Sequence, residues 1–188
     1  MSLRFLSLIC LSLCLCHVAS AATCSFENEP NSVSWKVSNG ELEIRFEHHN
    51  LTASRWTSIA FGNGPGMNNL EAIIFARGAN DVVTTWTAFT PKKKKVEVDR
   101  VSYVKVKSLK LDGDRMAVTV TRPLGPAGPR GHSLDMCVNW IVVPGGSMKS
   151  GEKFKKHHGG IHIIKDVCAE ECSTQSDKES RLLTNSIY

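Results

Sequence analysis

Met67 stands at the end of a glycine-rich turn, in GNGPGMNNLEAIIFARG (62–78), directly before an apolar run of β character. Turn positions go to Gly, Asn, Asp and Pro because these residues tolerate or pre-set the backbone angles, and a methionine gives no such help. A thioether instead packs into irregular gaps, lies against flat rings and can donate a lone pair to a metal. The other candidate donors come late: KFKKHHGGIHII carries His157, His158 and His162, about ninety residues further on. Thioether sulfur and imidazole nitrogen together are the axial pair of a low-spin haem of raised reduction potential. No local spacing rule links such a pair, since each ligand comes from its own loop or strand end.

Each of these residues also has a plainer reading. A methionine beside a strand is ordinarily core filler, and adjacent histidines next to Lys155 and Lys156 are ordinarily solvated. His162 follows His158 by one strand repeat on the same face, so it is expected to line the same pocket or to serve as the ligand itself. His158 and His162, with Cys168 and Cys172 at the same interval, also spell a Cys2His2 zinc set. Against zinc, GIHII leans to a strand, which does not present i and i+4 together as a helix does. Cysteines of an exported chain also tend to oxidise. There is no G-x-S-x-G, no H-E-x-x-H and no phosphate-binding glycine loop, so the chain is expected not to be an enzyme.

The elements that must position these donors follow a period of two. ELEIRFE sets Leu42, Ile44 and Phe46 against Glu41, Glu43, Arg45 and Glu47, and RMAVTVT alternates Met116, Val118 and Val120 with polar or small partners. SVSWKV, RWTSIAFG, LEAIIFA, DVVTTWT, VSYVKVKSLKL, SLDMCVNWIVV and GIHIIK add seven β-branched or aromatic segments. Turn signals such as SNG, GNGPG, DGD and PGG separate them. About nine short strands predict an all-β, antiparallel sandwich of immunoglobulin-like kind. Only the tail around CAEECSTQSDKESRLL hints at a helical period. GPAGPRG (125–131) imitates two collagen triplets, too few for a triple helix, and reads as a loop.

The first 21 residues, MSLRFLSLICLSLCLCHVASA, have an early charge at Arg4, an apolar stretch and an A-x-A site, which together predict a secretory signal peptide cut after Ala21. The apolar stretch is too short to span a bilayer. One domain is expected over residues 22–188, with a short tail from about 173. Four cysteines then remain, Cys24, Cys137, Cys168 and Cys172, in a chain bound for an oxidising compartment. Three pairings are open, and one bridge tying the ends together is favoured. NLT at Asn50 is a glycosylation acceptor where exposed. Without Arg4 the chain has 22 basic and 18 acidic residues, a mild excess gathered in PKKKKVEVDR. Lys92 to Lys95 are read as a solvated loop or guarded strand edge. They could also steer an acidic partner. Nucleic acid is not expected of an exported chain whose basic run lacks interleaved aromatics.

RWTSIAFGNGPGMNNLEAIIFA, DMCVNWIVV and KKHHGG, in this order, resemble the DOMON family, related to the cytochrome domain of cellobiose dehydrogenase. The resemblance spans roughly residues 30–166. It implies a sandwich holding haem b non-covalently between Met67 and His158, with His157 as the neighbouring alternative, and single-electron transfer between extracellular partners. Trp56, Phe61, Phe75, Trp86 and Trp140, with Ile59 and Ile73, are the expected candidates for apolar pocket walls. Two departures stand out: the paired histidines leave the ligand open, and the flavin or transmembrane cytochrome domain of many relatives is not expected from these residues. Some members of the family are haem-free modules that bind sugar or extracellular matrix, which makes a glycan the alternative partner.

Overall fold

The computed structural model describes residues 24–64, 66–92, 95–149 and 153–173. The expected signal peptide, the tail beyond Ser173, and Lys93 and Lys94 of the lysine run lie outside the described residues. Twelve strands form: β1 (Ser25–Asn28), β2 (Asn31–Ser38), β3 (Glu41–His49), β4 (Arg55–Gly62), β5 (Leu70–Arg77), β6 (Val83–Lys92), β7 (Lys95–Val98), β8 (Lys105–Asp112), β9 (Arg115–Pro123), β10 (Val138–Lys149), β11 (Lys153–His157) and β12 (His162–Val167). A single 3-10 turn, Ala169–Cys172, follows them. The sheets are β1-β2-β3-β9-β8 and β11-β10-β4-β5-β6-β7, with β12 also paired to β10. All named strand pairings are antiparallel, as the alternation predicted.

The nine expected segments are all present as strands, and β1, β7 and β11 add three. These three are four or five residues long and largely exposed, so they have too little apolar periodicity to read. VSYVKVKSLKL is a strand only from Lys105, and the helical hint in the tail amounts, within the described residues, to the one 3-10 turn.

Alternation decides which side chains meet. In β3 and β9, Leu42, Ile44, Phe46, Met116, Val118 and Val120 all turn inward and are fully buried, while the intervening polar residues face water. Opposite them stand the inward residues of the larger sheet, Ile59, Phe61, Ile73, Phe75, Trp140 and Val142. Phe46 meets Phe75 with ring centroids 5.0 Å apart, and Trp35 meets Trp140 at 4.6 Å, so aromatic pairs stitch the two layers together.

One charged contact crosses the same interior. Glu71 of β5 and Arg122 of β9 both point inward, and their Oε1 and Nη1 atoms lie 2.5 Å apart with almost no exposure. Burial raises the Glu71 carboxyl above the usual carboxylate range, opposed by the facing guanidinium and by the His132 N–H. Burial likewise lowers Arg122.

Two disulfides fasten the ends. Cys24 pairs with Cys172, the expected tie between the chain's extremes, and Cys137 pairs with Cys168.

Candidate functional site

The outer face of the larger sheet is apolar, where the outside of a sandwich is ordinarily wet. β4 and β5 are buried on both faces, and their outward residues belong to a second cluster of Trp56, Ala60, Leu70, Ala72, Ile74, Ala76, Ala88, Ile141 and Val143. Its centre is a row of one isoleucine and three alanines. Ile141, Ala60, Ala72 and Ala88 stand directly opposite one another across β10, β4, β5 and β6. Around this floor rise larger, half-buried groups: Met67, Trp86, Met148, Phe154 and Ile161. Phe154 meets the edges of both Trp56 and Trp86, at 5.7 Å and 5.6 Å between centroids. The result is a shallow apolar trough floored by alanines and walled by aromatic rings and two thioethers.

Met67 enters this trough from the end where β4 finishes at Gly62. The opposite end is set by a second cross-strand row, in which Trp56, Gly146 and His157 face one another across β4, β10 and β11. Directly opposed residues project to the same side of a sheet, so His157 stands on the face that carries Met67 and Trp56. A bulge between Gly146 and Met148 makes this possible, because it lets Phe154 and His157, three apart in sequence, share one face.

The three histidines part company here. His157 donates its Nδ1 hydrogen to the carbonyl of Gly159 at 3.1 Å, which fixes the tautomer and leaves Nε2 with a lone pair. Gly159 has a φ of +78°, a conformation that favours glycine. His158 instead shares a hydrogen bond between its Nε2 and Ser147 Oγ, at 3.0 Å. It lines a hollow of about 290 Å³ with His49, Arg55 and Pro144, which adjoins the trough at Trp56 and Gly146. His162 is not one strand repeat from His158, because β11 ends at His157 and β12 starts only at His162. Paired with the inward Val142, it accepts at Nδ1 from the Asn28 amide, 2.6 Å away.

The expected wall residues also divide. Trp56 and Trp86 border the trough, whereas Phe61, Phe75 and Trp140, with Ile59 and Ile73, belong to the interior between the sheets and do not reach it. They read as wall candidates because period two does not say which face of a doubly buried strand is which. The zinc set fails as well, since Cys168 and Cys172 are both in disulfides. Among the described residues no three His, Cys, Asp or Glu side chains converge as a metal site. Sequence reasoning missed the alanine floor, Met148 and Phe154; Ala60 in β4 and Ala72 and Ala76 in β5, each on the outward side, are the floor's trace.

A model of the DOMON domain matches residues 27–146. The chain belongs to the DOMON family. A DOMON domain-containing protein of Caenorhabditis briggsae is 60% identical over 97% of this chain and 98% of its own length. One from Caenorhabditis elegans is 60% identical over 84% of this DOMON chain and 86% of its own. Among solved structures, the cytochrome domain of Myriococcum thermophilum cellobiose dehydrogenase aligns with a TM-score of 0.58 at 12% identity, covering 82% of this chain and 86% of that one. At that identity the likeness is one of fold.

Proposed function

We propose that this DOMON domain binds one haem b on the outer face of its larger sheet, through Met67 and His157, and exchanges single electrons with extracellular partners. The observation that carries the reading is the alanine-floored trough with a thioether toward one end and, on the same face of the sheet by strand register, His157 with Nδ1 bonded to the Gly159 carbonyl. Apolar walls suit a macrocycle, and the donor set suits a low-spin iron. The structural neighbour, named as a cytochrome domain, supports the same choice.

The residues divide the work. Trp56, Trp86 and Phe154 exclude water from the trough. Gly159 orients the His157 ring, and the small side chains of Ala60, Ala72 and Ala88 leave room above the floor. Met67 and His157 would hold the group, which would supply outer-sphere electron exchange, in keeping with a carrier. Two disulfides and an exposed Asn50 in its NLT sequence support export and glycosylation. No helix among the described residues is long and apolar enough to cross a membrane.

A visible spectrum tests the reading. Protein made with haem available is expected to show a sharp Soret band and, once reduced, resolved α and β bands. Met67→Ala and His157→Ala should each abolish the low-spin pattern with circular dichroism unchanged, while His158→Ala keeps it. A colourless protein that refuses added haem and binds a glycan array would overturn it in favour of a sugar-binding module.

A further inference from the structure

The segment that carries Met67 is held from below by contacts the proposed cofactor does not make. Asn69, two residues on, has a φ of +53°, and Asn69 and Leu70 together are tied down at three points. The Asn69 amide donates to the Thr90 carbonyl at 2.6 Å, the next amide, of Leu70, donates to Thr90 Oγ1 at 3.1 Å, and the Asn69 carbonyl accepts from His132 Nε2 at 2.8 Å. The first two belong to the sheet margin. The third comes from the loop between β9 and β10, sixty-three residues away in sequence.

That loop is itself anchored in the interior. The His132 amide donates to Glu71 Oε2 at 2.7 Å, and the His132 carbonyl accepts from Arg122 Nη2 at 2.7 Å. Arg122 also donates to the carbonyls of Gly125 and Pro123 and stacks over Phe61. The buried ion pair thus grips the His132 backbone on both sides, and the imidazole carries that rigidity outward to Asn69. Gly62 completes the arrangement: a Cβ there would stand 2.6 Å from Leu70 Cδ2 and 2.9 Å from the Asn69 carbonyl oxygen. The returning chain therefore lies directly over β4.

We propose that His132 is a positioning residue, a clamp from the Glu71–Arg122 pair to Asn69 that fixes where the Met67 sulfur sits on the trough. The clamp stands on protein contacts alone. Its consequence for an iron ligand rests on the haem reading above. Because a carbonyl only accepts, the clamp needs a hydrogen on Nε2, and glutamine can offer an amide hydrogen at a similar reach.

Methionine oxidation by dilute peroxide, followed peptide by peptide by mass spectrometry on the cofactor-free chain, reads the clamp without any haem. Met136, 61% exposed, sets the fast limit, and half-buried Met148 on the same face is the internal control. In His132→Ala, oxidation of Met67 is expected to rise about fivefold, the shift in population that one lost neutral hydrogen bond supports. Met148 should stay unchanged, and His132→Gln should return Met67 to within about twofold of the parent. Equal Met67 rates in parent and His132→Ala overturn the clamp, as does a rise shared by Met148, which would mean general loosening. If haem is also taken up, His132→Ala is expected to weaken the low-spin bands and glutamine to restore them. A parent that takes up no haem but still shows the Met67 effect defeats the haem reading and leaves the clamp standing.

Discussion

Trp56 occupies the space where a side chain on Gly146 would be: a Cβ built there lies 2.5 Å from the indole nitrogen. The indole is held over that glycine by a hydrogen bond from Nε1 to the Ser147 carbonyl, at 3.2 Å. Trp56 and Gly146 thereby act as one unit at the end of the trough where His157 stands.

Gly146→Val should therefore dislodge the indole. Overpacking of this kind costs roughly 1–3 kcal/mol. Thermal melting is expected to fall accordingly, tryptophan emission to shift red as the ring meets water, and haem uptake to drop. Unchanged emission would mean that the backbone yields instead of the ring.

Removing Arg122 strands a buried carboxylate. Arg122→Met is expected to destabilise the fold by about 3–5 kcal/mol in urea titrations, whereas the double change Glu71→Leu with Arg122→Met should recover most of that loss. If the single change were tolerated, the pair would have to be solvated in a way its near-zero exposure does not permit.

His48 sets an acid limit on stability. It is buried beside Thr57, bonded through Nδ1 to Asn31 Oδ1 at 2.7 Å, and its pKa is lowered to about 4, first by burial and then by neighbouring His49. An unfolded histidine takes up a proton near pH 6.5, so between about 6.5 and 4 the unfolded chain binds protons that the folded one refuses. Stability is then full above that window and falls through it on acidification, by about 3 kcal/mol in all. His48→Gln should flatten the slope of unfolding free energy against pH in that window.

The two bridges should differ in worth. Cys24–Cys172 spans 148 residues and Cys137–Cys168 spans 31. Chain-entropy reasoning gives about 5 kcal/mol for the first and about 4 for the second. Paired Cys→Ser variants, compared by denaturant midpoint, check both the order and the size.

How much of this could be read beforehand depended on which side of a strand faces water. β3 and β9 have one wet face, so Leu42, Ile44, Phe46, Met116, Val118 and Val120 were legible as core. β4 and β5 are dry on both, so Phe61, Phe75 and Trp56 looked alike in the sequence, although the first two point inward and the last outward. The methionine after the glycine turn was visible because it is the wrong residue for a turn. Which of His157, His158 and His162 shares a face with Trp56 was not, because it depends on a one-residue bulge in β10–β11 and on the turn that separates β11 from β12. The disulfide pairing was legible only as far as the chain ends were concerned. The Glu71–Arg122 pair joins residues fifty-one apart, and no local pattern announces it.

β8 closes one margin of the smaller sheet and is exposed along nearly its whole length. A free margin of this kind invites another copy to add its own strand, the first step toward a fibril. Lys105 and Lys110 stand on it, both exposed. Two such margins brought together would crowd ammonium groups against each other, so chains in dilute buffer should repel at this edge. Concentrated electrolyte would soften that repulsion, making ionic strength the variable to watch when the protein is stored at high concentration.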